Sequence, residues 1–364
     1  MTQTALHTPS STRWALGQRL SALAHRITTP LIPDDYVDLF NPLWSSTELR
    51  GRIVAVDHET ADTVTLTIRP GRGWQSYLPG QYTRLGVDID GIRRWRCYSF
   101  TSDPARTDGL ITLTVKAIPD GLVSNHLVSN AKVGEYVHLG LPEGDFQLPA
   151  VKPSKLLFLT AGSGITPIMG MLRSFELEDV VVLHSALTRE GVIFGAELRA
   201  LHEAGTITLI ERHTDIDGML DITALAEIVS DWRERATWAC GPAGLMAAAE
   251  AHWTANDVPD QLNIERFKPH ISVEPGAGGT VTFTKSGVTK DFDGAQPILT
   301  QAEDAGVIMP FGCRMGVCHR CVLPLRSGAV RDLRDGTVTT AAPGDGVIIQ
   351  TCINAAAGPC EIDN

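Results

Sequence analysis

The sequence predicts a multidomain α/β plus β protein with an antiparallel β-barrel, a doubly wound parallel α/β domain and a C-terminal β-grasp domain. Three observations support this fold class. β-Rich runs with period two, separated by glycine and proline clusters, fill residues 49–150. Short apolar runs alternate with helix-length amphipathic segments over residues 151–268. A hairpin, a helix and a cysteine-bearing loop fill residues 280–364, after a predicted linker rich in proline and glycine at residues 269–279.

The composition is ordinary for a globular protein and argues against several functional classes. The chain has 364 residues, enough for two or three domains, of which 43% are hydrophobic and 20% charged. A formal net charge of −11 argues against nucleic-acid binding, which needs a basic face. No apolar run approaches the roughly eighteen residues of a membrane-spanning helix. Unpaired thiols and the lack of an export signal predict a reduced, cytoplasmic setting.

Residues 1–48 are predicted to form an N-terminal helical extension. Apolar side chains recur at helical spacing from Leu16 to Ile27, with arginines interspersed. Such a basic amphipathic helix suits a membrane surface or a partner protein. The alternative, which we favour, is a helix that packs against the protein's own next domain.

One strand of the predicted barrel carries Arg96, Tyr98 and Ser99. Alternation puts Arg96 and Tyr98 on the same face of that strand. A flavin needs a cation for its phosphate, a flat surface for its ring and a hydroxyl donor near N5, and these residues could supply all three. Tyrosine and arginine on a half-buried strand are, however, more often structural. Farther on, a predicted helix begins after Gly121, and with Ser124 its N-terminus would suit a second phosphate.

In the predicted parallel domain, the turn that contains Thr160, Gly162 and Gly164 follows an apolar strand and opens a helix. Glycines there let the backbone approach a pyrophosphate at the helix N-terminus, although many such turns carry glycine for steric reasons. A later strand ends in the turn at residues 240–242. Ligands of this architecture bind at the carboxyl ends of the strands, so this turn is a second candidate, with a merely tight turn as the alternative.

Four cysteines near the C-terminus have the spacing C-x4-C-x2-C…C, which is typical of plant-type [2Fe–2S] clusters. Thiolates are soft ligands for iron, and each iron of the cluster needs two of them. A disulfide framework is typical of short secreted chains, and a structural zinc site would show two C-x2-C or C-x2-H pairs. The pattern therefore favours an iron–sulfur cluster over zinc. The four residues are Cys313, Cys318, Cys321 and Cys352.

From about residue 49 to residue 268, the chain resembles the ferredoxin–NADP⁺ reductase superfamily. The similarity rests on three motifs: R-x-Y-S in the barrel, and T-x-G-x-G-x-x-P and C-G-P in the parallel domain. With a C-terminal plant-type ferredoxin, the chain is similar to three-domain reductases of the phenylacetyl-CoA epoxidase reductase type. The N-terminal segment, including residues 29–36 and 41–44, resembles the actinobacterial branch proposed to feed membrane acyl-CoA desaturases.

The resemblance implies a role for each motif residue. FAD is implied rather than FMN, because the helix N-terminus at Ser124 suits a diphosphate. Catalytic roles near the hydride path are implied for Ser99, Cys240 and Glu265, and Phe267 would lie over the flavin. The flavin would be held by Arg96, Tyr98, Ser99, Gly121 and Ser124, the nicotinamide dinucleotide by Thr160, Gly162, Gly164, Gly241 and Pro242, and the cluster by Cys313, Cys318, Cys321 and Cys352.

The choice of nicotinamide dinucleotide depends on the residues that meet the adenosine ribose. After the second parallel strand, the sequence shows no Asp or Glu placed to accept hydrogen bonds from a 2′-hydroxyl. Ser185 and Arg189 could instead hold a 2′-phosphate. NADPH is therefore predicted, with NADH as the alternative. The plainer explanation of Arg189 is a solvated surface charge.

These features predict an NAD(P)H-dependent oxidoreductase that passes electrons from NADPH to FAD, then to the [2Fe–2S] cluster, and finally to a metal-dependent oxygenase. The expected partner is a membrane di-iron desaturase of fatty acyl chains. The alternatives are a soluble hydroxylase, a cytochrome P450 system or, in another class, a non-catalytic metal-binding interaction protein. We expect a monomer in the cytoplasm, with peripheral contact to the inner face of the membrane through residues 1–48 as an open alternative.

Overall fold

The computed structural model describes residues 40–119, 121–267, 276–312, 314, 316 and 319–364. Most of the predicted helical extension and of the predicted linker lies outside the described residues, and so do two of the predicted cluster ligands, Cys313 and Cys318. In the described ranges, no helix is both long and apolar enough to cross a membrane. A 3-10 turn at Pro42–Trp44 precedes the first strand.

The first domain is an antiparallel barrel, as predicted. In its second strand Val64, Leu66 and Ile68 occupy every second position and are fully buried, so the period-two pattern points their side chains into one core. An antiparallel bridge between Phe100 and Leu113 joins the two edges of the sheet. The elements are β1 (Arg50–Thr60), β2 (Thr63–Pro70), β3 (Tyr82–Ile89), β4 (Ile92–Ser99), β5 (Ile111–Lys116), α1 (Leu122–Asn130) and β6 (Tyr136–Leu139), in the sheet order β4-β3-β6-β1-β2-β5.

The second domain is a five-stranded parallel sheet covered on both faces, which confirms the predicted doubly wound fold. In its first strand, Leu156 and Phe158 pack into one core, and Leu157 and Leu159 pack into the core on the opposite face. The strands are β7 (Lys155–Ala161), β8 (Asp179–Ala186), β9 (Thr208–His213), β10 (Ala236–Cys240) and β11 (Leu262–Glu265), in the order β11-β10-β7-β8-β9. The helices are α2 (Ile165–Ser174), α3 (Gly195–Glu203), α4 (Thr214–Asp217), α5 (Leu225–Ile228) and α6 (Ala243–Ala255).

Helix α2 joins the parallel domain to the barrel. A Cβ atom at Gly170 would lie 2.5 Å from the carbonyl oxygen of Phe100, so glycine is needed for this approach. Arg173 donates a 2.6 Å hydrogen bond from Nη1 to the carbonyl oxygen of Thr101 and a 2.8 Å hydrogen bond from Nε to Glu197 on α3. The parallel domain is thereby held beside the end of β4, the strand with the predicted flavin residues.

The third domain has the β-grasp arrangement predicted for a ferredoxin. Its central strands pair in parallel, and Ile298 and Leu299 of the helix pack with Val281 and Phe283 into one core. The elements are β12 (Gly276–Phe283), β13 (Thr289–Gly294), α7 (Ile298–Asp304), β14 (Val322–Asp332), β15 (Val338–Ala341), β16 (Ile348–Gln350) and β17 (Asn354–Ile362), in the sheet order β13-β12-β17-β14-β15, with β16 paired to β14.

The predicted linker at residues 269–279 extends too far. Strand β12 begins at Gly276, which pairs with Gly294 across the sheet. A Cβ atom at Gly279 would lie 2.2 Å from the backbone of Gly358. Glycine therefore permits close packing of strands here, where the sequence suggested flexibility.

Candidate functional site

One pocket lies between the barrel and the carboxyl edge of the parallel sheet. It is lined by Ser99 at the end of β4, by Glu265 at the end of β11 and by Phe267 just beyond it, together with Tyr82 and Cys97. Three residues that the sequence singled out, from two domains, therefore meet in one place. Tyr82 and Cys97 belong to the lining as well, and neither had been predicted to bind a ligand.

Two polar groups in this pocket have no hydrogen-bond partner among the described residues. They are the Ser99 hydroxyl and Oε2 of Glu265, and both are buried. Burial raises the pKa of Glu265 to about 8, so its carboxyl group is protonated near neutral pH. A hydroxyl and a neutral carboxyl can each donate a hydrogen bond. Buried polar groups without partners mark a site that a polar ligand completes, which fits a flavin and a nicotinamide.

Cys240 lies behind this pocket and does not line it. It pairs with Glu265 across β10 and β11 and is fully buried. Burial raises the pKa of the Cys240 thiol, and the charge of Glu265 is the smaller cause. The thiol therefore stays protonated and is a poor nucleophile. Its position near the hydride path stays a prediction, and the structure supports it only through the pairing with Glu265.

The glycine turn after β7 packs directly on the end of β10. A Cβ atom at Gly164 would lie 1.9 Å from the Cys240 carbonyl oxygen, so no larger residue fits. Gly162 has a φ of +53° and open space where its Cβ would be. Next to them, Gly241 packs against the end of β7 and Pro242 immediately precedes α6. The turn thus forms a cradle in which a pyrophosphate can approach the backbone.

Arg96 and Tyr98 lie on the face of β4 opposite to Cys97 and Ser99. Arg96 donates a 2.7 Å hydrogen bond from Nη1 to the carbonyl oxygen of the preceding residue. Burial lowers the pKa of Arg96, and the positive charge of Arg314 in the cysteine loop is a smaller cause. Tyr98 packs against the core of the barrel. An anion such as a flavin phosphate would offset the repulsion between these two guanidinium groups.

The N-terminus of α1 is open, whereas the Ser124 hydroxyl is engaged. Ser124 donates a 3.1 Å hydrogen bond to the carbonyl oxygen of Gly121 and accepts one of 3.4 Å from the amide of Ile118. None of the described side chains caps the helix. A phosphate would therefore meet the backbone amides of the first turn, and the Ser124 hydroxyl shapes the loop.

The Thr160 side chain faces the interior of the parallel sheet. Thr160 is fully buried, and its hydroxyl lies 2.8 Å from Nδ1 of His184 on β8. Burial lowers the pKa of His184 to about 4, so the ring is neutral and the hydrogen bond joins two strands. A nucleotide at this turn would be contacted by backbone groups and not by the Thr160 hydroxyl.

Arg189 lies just beyond β8 with 62% of its side chain exposed, and Ser185 is buried near the end of that strand. The structure adds a carboxylate here, because Glu211 of β9 lies 3.8 Å from Arg189. Glu211 is also 3.0 Å from Arg199 and 3.3 Å from His213. The sequence expectation covered only the residues that follow β8, and Glu211 reaches this region from the neighbouring strand. Only the parallel pairing of β8 with β9 reveals Glu211, since nothing in the spacing of the sequence places it there.

Two of the four predicted cluster ligands lie side by side. Cys321 and Cys352 are both buried, and the backbone at Thr351 donates a 3.1 Å hydrogen bond to the carbonyl oxygen of Cys321. Hydrogen bonding with Cys352 lowers the pKa of the Cys321 thiol, which favours the thiolate form that binds iron. Across the described ranges, no group of three or more His, Cys, Asp or Glu side chains could hold a metal ion. Cys313 and Cys318 are not among those residues.

The cysteine loop, which we define as the described residues 310–312, 314, 316 and 319–321, packs against the barrel at β4. The Cys97 thiol lies 3.9 Å from the carbonyl oxygen of Gly312, and the rings of Trp95 and Phe311 are 5.8 Å apart. Cys97 also lines the pocket that contains Ser99. One side chain of β4 therefore contacts the loop of the predicted cluster and the pocket of the predicted flavin.

Known proteins match this chain along most of its length. Residues 52–148 match the oxidoreductase FAD-binding domain, and residues 281–355 match the 2Fe-2S iron-sulfur cluster binding domain. An NADPH oxidoreductase from Mycobacterium tuberculosis (strain ATCC 25618 / H37Rv) is 49% identical over 354 residues, which cover 94% of this chain and 92% of that protein. The chain belongs to the three-domain ferredoxin reductase family. This reductase is an oxidoreductase with FAD-binding and [2Fe–2S]-binding domains, as predicted, and the alternative of a non-catalytic metal-binding protein is wrong.

Two further proteins resemble the reductase. One is the ferredoxin reductase component of 3-ketosteroid-9-alpha-monooxygenase from Mycobacterium tuberculosis (strain CDC 1551 / Oshkosh), which is 34% identical over 273 residues, covering 70% of the reductase and 76% of that protein. The other is a solved structure of phthalate dioxygenase reductase, with a TM-score of 0.62 and 23% identity, covering 87% of the reductase and 98% of that chain. The structural likeness confirms the predicted fold class.

The buried carboxyl group of Glu265 predicts a pH-dependent stability. Its pKa is about 8 in the folded protein and near its ordinary value of 4.5 in the unfolded chain. The stability that the proton provides is therefore complete below pH 4.5 and is lost as the pH rises to 8, by about 4 kcal/mol. The Glu265→Gln variant has no titratable carboxyl group at this position, so it does not lose this stability. The melting temperature of the variant, minus that of the wild type, should increase between pH 5 and pH 8 and then level off.

Thermal unfolding followed by tryptophan fluorescence measures this difference. Glu361→Gln removes an exposed carboxylate of the ferredoxin domain and shows how a general change of charge affects the same measurement. A difference between Glu265→Gln and wild type that stays constant from pH 5 to pH 9 would contradict a protonated Glu265.

Proposed function

We propose that this reductase transfers electrons from NADPH, through FAD and its [2Fe–2S] cluster, to a separate metal-dependent oxygenase. The observation that carries the proposal is the packing of the cysteine loop on β4, where Gly312 meets Cys97 beside the pocket. When bound, FAD accepts two electrons as a hydride and gives them up singly, and the cluster carries one electron at a time. The proximity of the loop and the pocket suits a direct transfer between the two cofactors.

The residues of the chain supply binding and orientation. Ser99 and the protonated carboxyl of Glu265 would donate hydrogen bonds at the pocket, and Arg96 would supply a cation to the flavin phosphate. The turn at Gly164 would let the pyrophosphate of the dinucleotide approach the backbone. Phe267, at the pocket wall and 40% exposed, would cover the flavin until the nicotinamide replaces it.

NADPH is the proposed hydride donor for two reasons. The relative that is 49% identical is an NADPH oxidoreductase. The guanidinium of Arg189 is exposed, beside the end of the strand that carries Ser185, and could bind a 2′-phosphate. The Glu211 carboxylate nearby is only 11% exposed, and its Oε2 accepts a 3.1 Å hydrogen bond from Nη2 of Arg199, so it is poorly available to a ribose 2′-hydroxyl.

Arg189→Ala should lower kcat/KM for NADPH about tenfold, because a charge-assisted contact with the 2′-phosphate is lost. The value for NADH should stay within about twofold, since NADH has no 2′-phosphate. Steady-state kinetics with both dinucleotides checks this prediction. Arg233→Ala, an exposed arginine at another site of the same domain, is the control. An unchanged ratio of the two kcat/KM values would remove Arg189 from the nucleotide site.

Cys321→Ser should separate the two halves of the electron path. Because Cys321 lies outside the pocket, NADPH should still bleach the flavin absorbance at a rate within about twofold of wild type. The EPR signal of the reduced cluster should be absent, and delivery to any partner should stop. Cys360→Ser changes another buried cysteine of the same domain and should keep the signal. Loss of flavin reduction together with the EPR signal would contradict a serial path.

We propose a membrane di-iron fatty acyl desaturase as the oxygenase partner. The support is the resemblance of the N-terminal segment to reductases of that branch, of which residues 41–44 are described and residues 29–36 are not. Peripheral contact with the membrane through residues 1–48 belongs to the same proposal. The second candidate is a monooxygenase, favoured by the similarity to the ferredoxin reductase component of 3-ketosteroid-9-alpha-monooxygenase.

Reconstitution distinguishes the two partners. Purified reductase and NADPH are added either to washed membranes or to the soluble fraction of the native host, each with a labelled saturated acyl-CoA. An unsaturated product from the membranes, formed with wild type and not with Cys321→Ser, is the expected result. NADPH-dependent hydroxylation confined to the soluble fraction would instead support a monooxygenase and overturn the desaturase proposal.

A further inference from the structure

The reductase has a charged and aromatic contact between its barrel and its ferredoxin domain, outside the pocket that is proposed to hold the flavin. The contact lies around the cysteine loop and uses side chains from both domains. On the barrel they are Arg84, Arg94, Trp95 and Glu143, and on the ferredoxin domain they are Asp304, Phe311 and Arg320.

Arg84 of β3 lies beside two aromatic rings, one from each domain, whose centres are 5.8 Å apart. Its guanidinium carbon is 6.0 Å from the centre of the Trp95 ring and 5.6 Å from that of Phe311. Its Nη1 also donates a 3.5 Å hydrogen bond to the Phe311 carbonyl oxygen. Gly86 makes room for the indole, because a Cβ atom there would lie 2.9 Å from the Trp95 ring. A cation that contacts a ring of each domain holds the start of the cysteine loop to the barrel.

Glu143 links the same arginine to the other end of the loop. Its Oε1 lies 3.3 Å from Nε of Arg84 and 3.1 Å from Nη1 of Arg320, and its side chain is only 10% exposed. The N–H directions do not give aligned hydrogen bonds, so the attraction is that of opposite charges at short range. The Glu143 backbone exchanges two 2.9 Å hydrogen bonds with Tyr82, which lines the pocket. Glu143 therefore connects the pocket wall, through its backbone, with the cysteine loop, through its carboxylate.

Arg94 of β4 supplies a separate anchor. Its Nη1 donates a 3.0 Å hydrogen bond to Oδ1 of Asp304 at the end of α7. Arg94 is largely buried, while 61% of the Asp304 side chain is exposed. This pair joins the barrel to the helix that precedes the loop. The ferredoxin domain is thus held at the helix and at both ends of the loop.

We propose that Arg84, Arg94 and Glu143 form a docking socket that positions the cysteine loop beside the flavin and controls the rate of electron transfer from FAD to the cluster. In that step one electron leaves reduced FAD, one Fe(III) of the cluster becomes Fe(II), and one flavin proton passes to water. None of the three residues lines the pocket, so they are positioning residues. This inference rests on the proposed function, in which FAD reduces the cluster.

The socket is built to hold the ferredoxin domain weakly. The ferredoxin-side partners, Asp304 and Arg320, keep more than half of their side chains exposed. Ion pairs with that exposure contribute little and are screened by salt. A contact of this strength can form for electron transfer from FAD and open again for delivery to a partner.

Reversal of one ion pair tests the socket. Arg94→Glu and Asp304→Arg each oppose two like charges and should slow reduction of the cluster at least threefold. The double variant R94E/D304R restores the pair with its charges exchanged and should recover most of the rate. After rapid mixing with saturating NADPH, the flavin absorbance reports hydride transfer, which should stay within twofold. The EPR signal of freeze-quenched samples reports reduction of the cluster.

Small-angle X-ray scattering of the oxidised holoprotein gives a readout that does not depend on activity. The radius of gyration should increase in each single variant, because the ferredoxin domain leaves the socket, and should return to the wild-type value in the double variant. Arg326→Glu breaks the 2.9 Å pair with Asp363 within the ferredoxin domain and should change neither measurement. Single variants with wild-type rates and radii, or a double variant without recovery, would overturn the proposal.

If a charge reversal prevents folding, Glu143→Gln and the salt dependence of the wild type test the same inference. Glu143→Gln keeps the shape of the side chain and should slow reduction of the cluster. NaCl raised from about 20 mM to about 500 mM should slow that step in the wild type, with hydride transfer little changed. A rate that does not depend on salt would overturn the socket. A wild-type cluster that NADPH never reduces would instead contradict the proposed function.

Discussion

The packing of the cysteine loop on strand β4 is the contact on which the arrangement of the reductase depends. β4 lies at the edge of the barrel sheet, presents Cys97 and Ser99 to the pocket, and meets Gly312 of the loop at Cys97. A hydride has to arrive from the parallel domain, and electrons have to leave through the ferredoxin domain. Hydride arrival and electron departure can both take place at β4. Helix α2 holds the parallel domain at one end of this strand, and the cysteine loop packs on the side of the same strand.

The charged groups of the molecule differ in their degree of burial, and their effects on the structure differ accordingly. Arg235, almost fully buried, holds Asp179 and Asp231 at 2.8 Å each, so this cluster ties segments of the parallel domain to each other. The pair of Arg94 with Asp304 joins two domains, and its Asp304 side chain is 61% exposed to water, so salt can screen the attraction and the contact can open again. Glu265 is a third case, in which burial keeps a carboxyl group protonated at the pocket and costs stability as the pH rises.

The fold could be predicted from local pattern because each domain has its own hydrophobic period. Apolar residues alternate in β2, and the continuous apolar run of β7 is buried on both faces of the parallel sheet. A sequence pattern predicts the wrong structure where the same residue type can have two structural roles. Glycine from Gly276 onward suggested a flexible linker, whereas the backbone there packs against Gly294 and Gly358 in the sheet. A missing side chain looks the same in a sequence whether it permits motion or close contact.

By itself the sequence determined the three domains and the cofactor classes, because strand period and ligand spacing are local properties. The candidacy of Glu265 and the catalytic role of Ser99 came from the resemblance to a known family. Only the tertiary structure decided which polar groups already have a partner within the protein and which remain available to bind a ligand. The Thr160 hydroxyl is already bonded to His184, and Glu211 reaches Arg189 through the order of strands β8 and β9. It also decided that the cysteine loop lies on β4. Such contacts join residues far apart in the chain, and their geometry depends on how sheets and domains pack, which no spacing within a motif records.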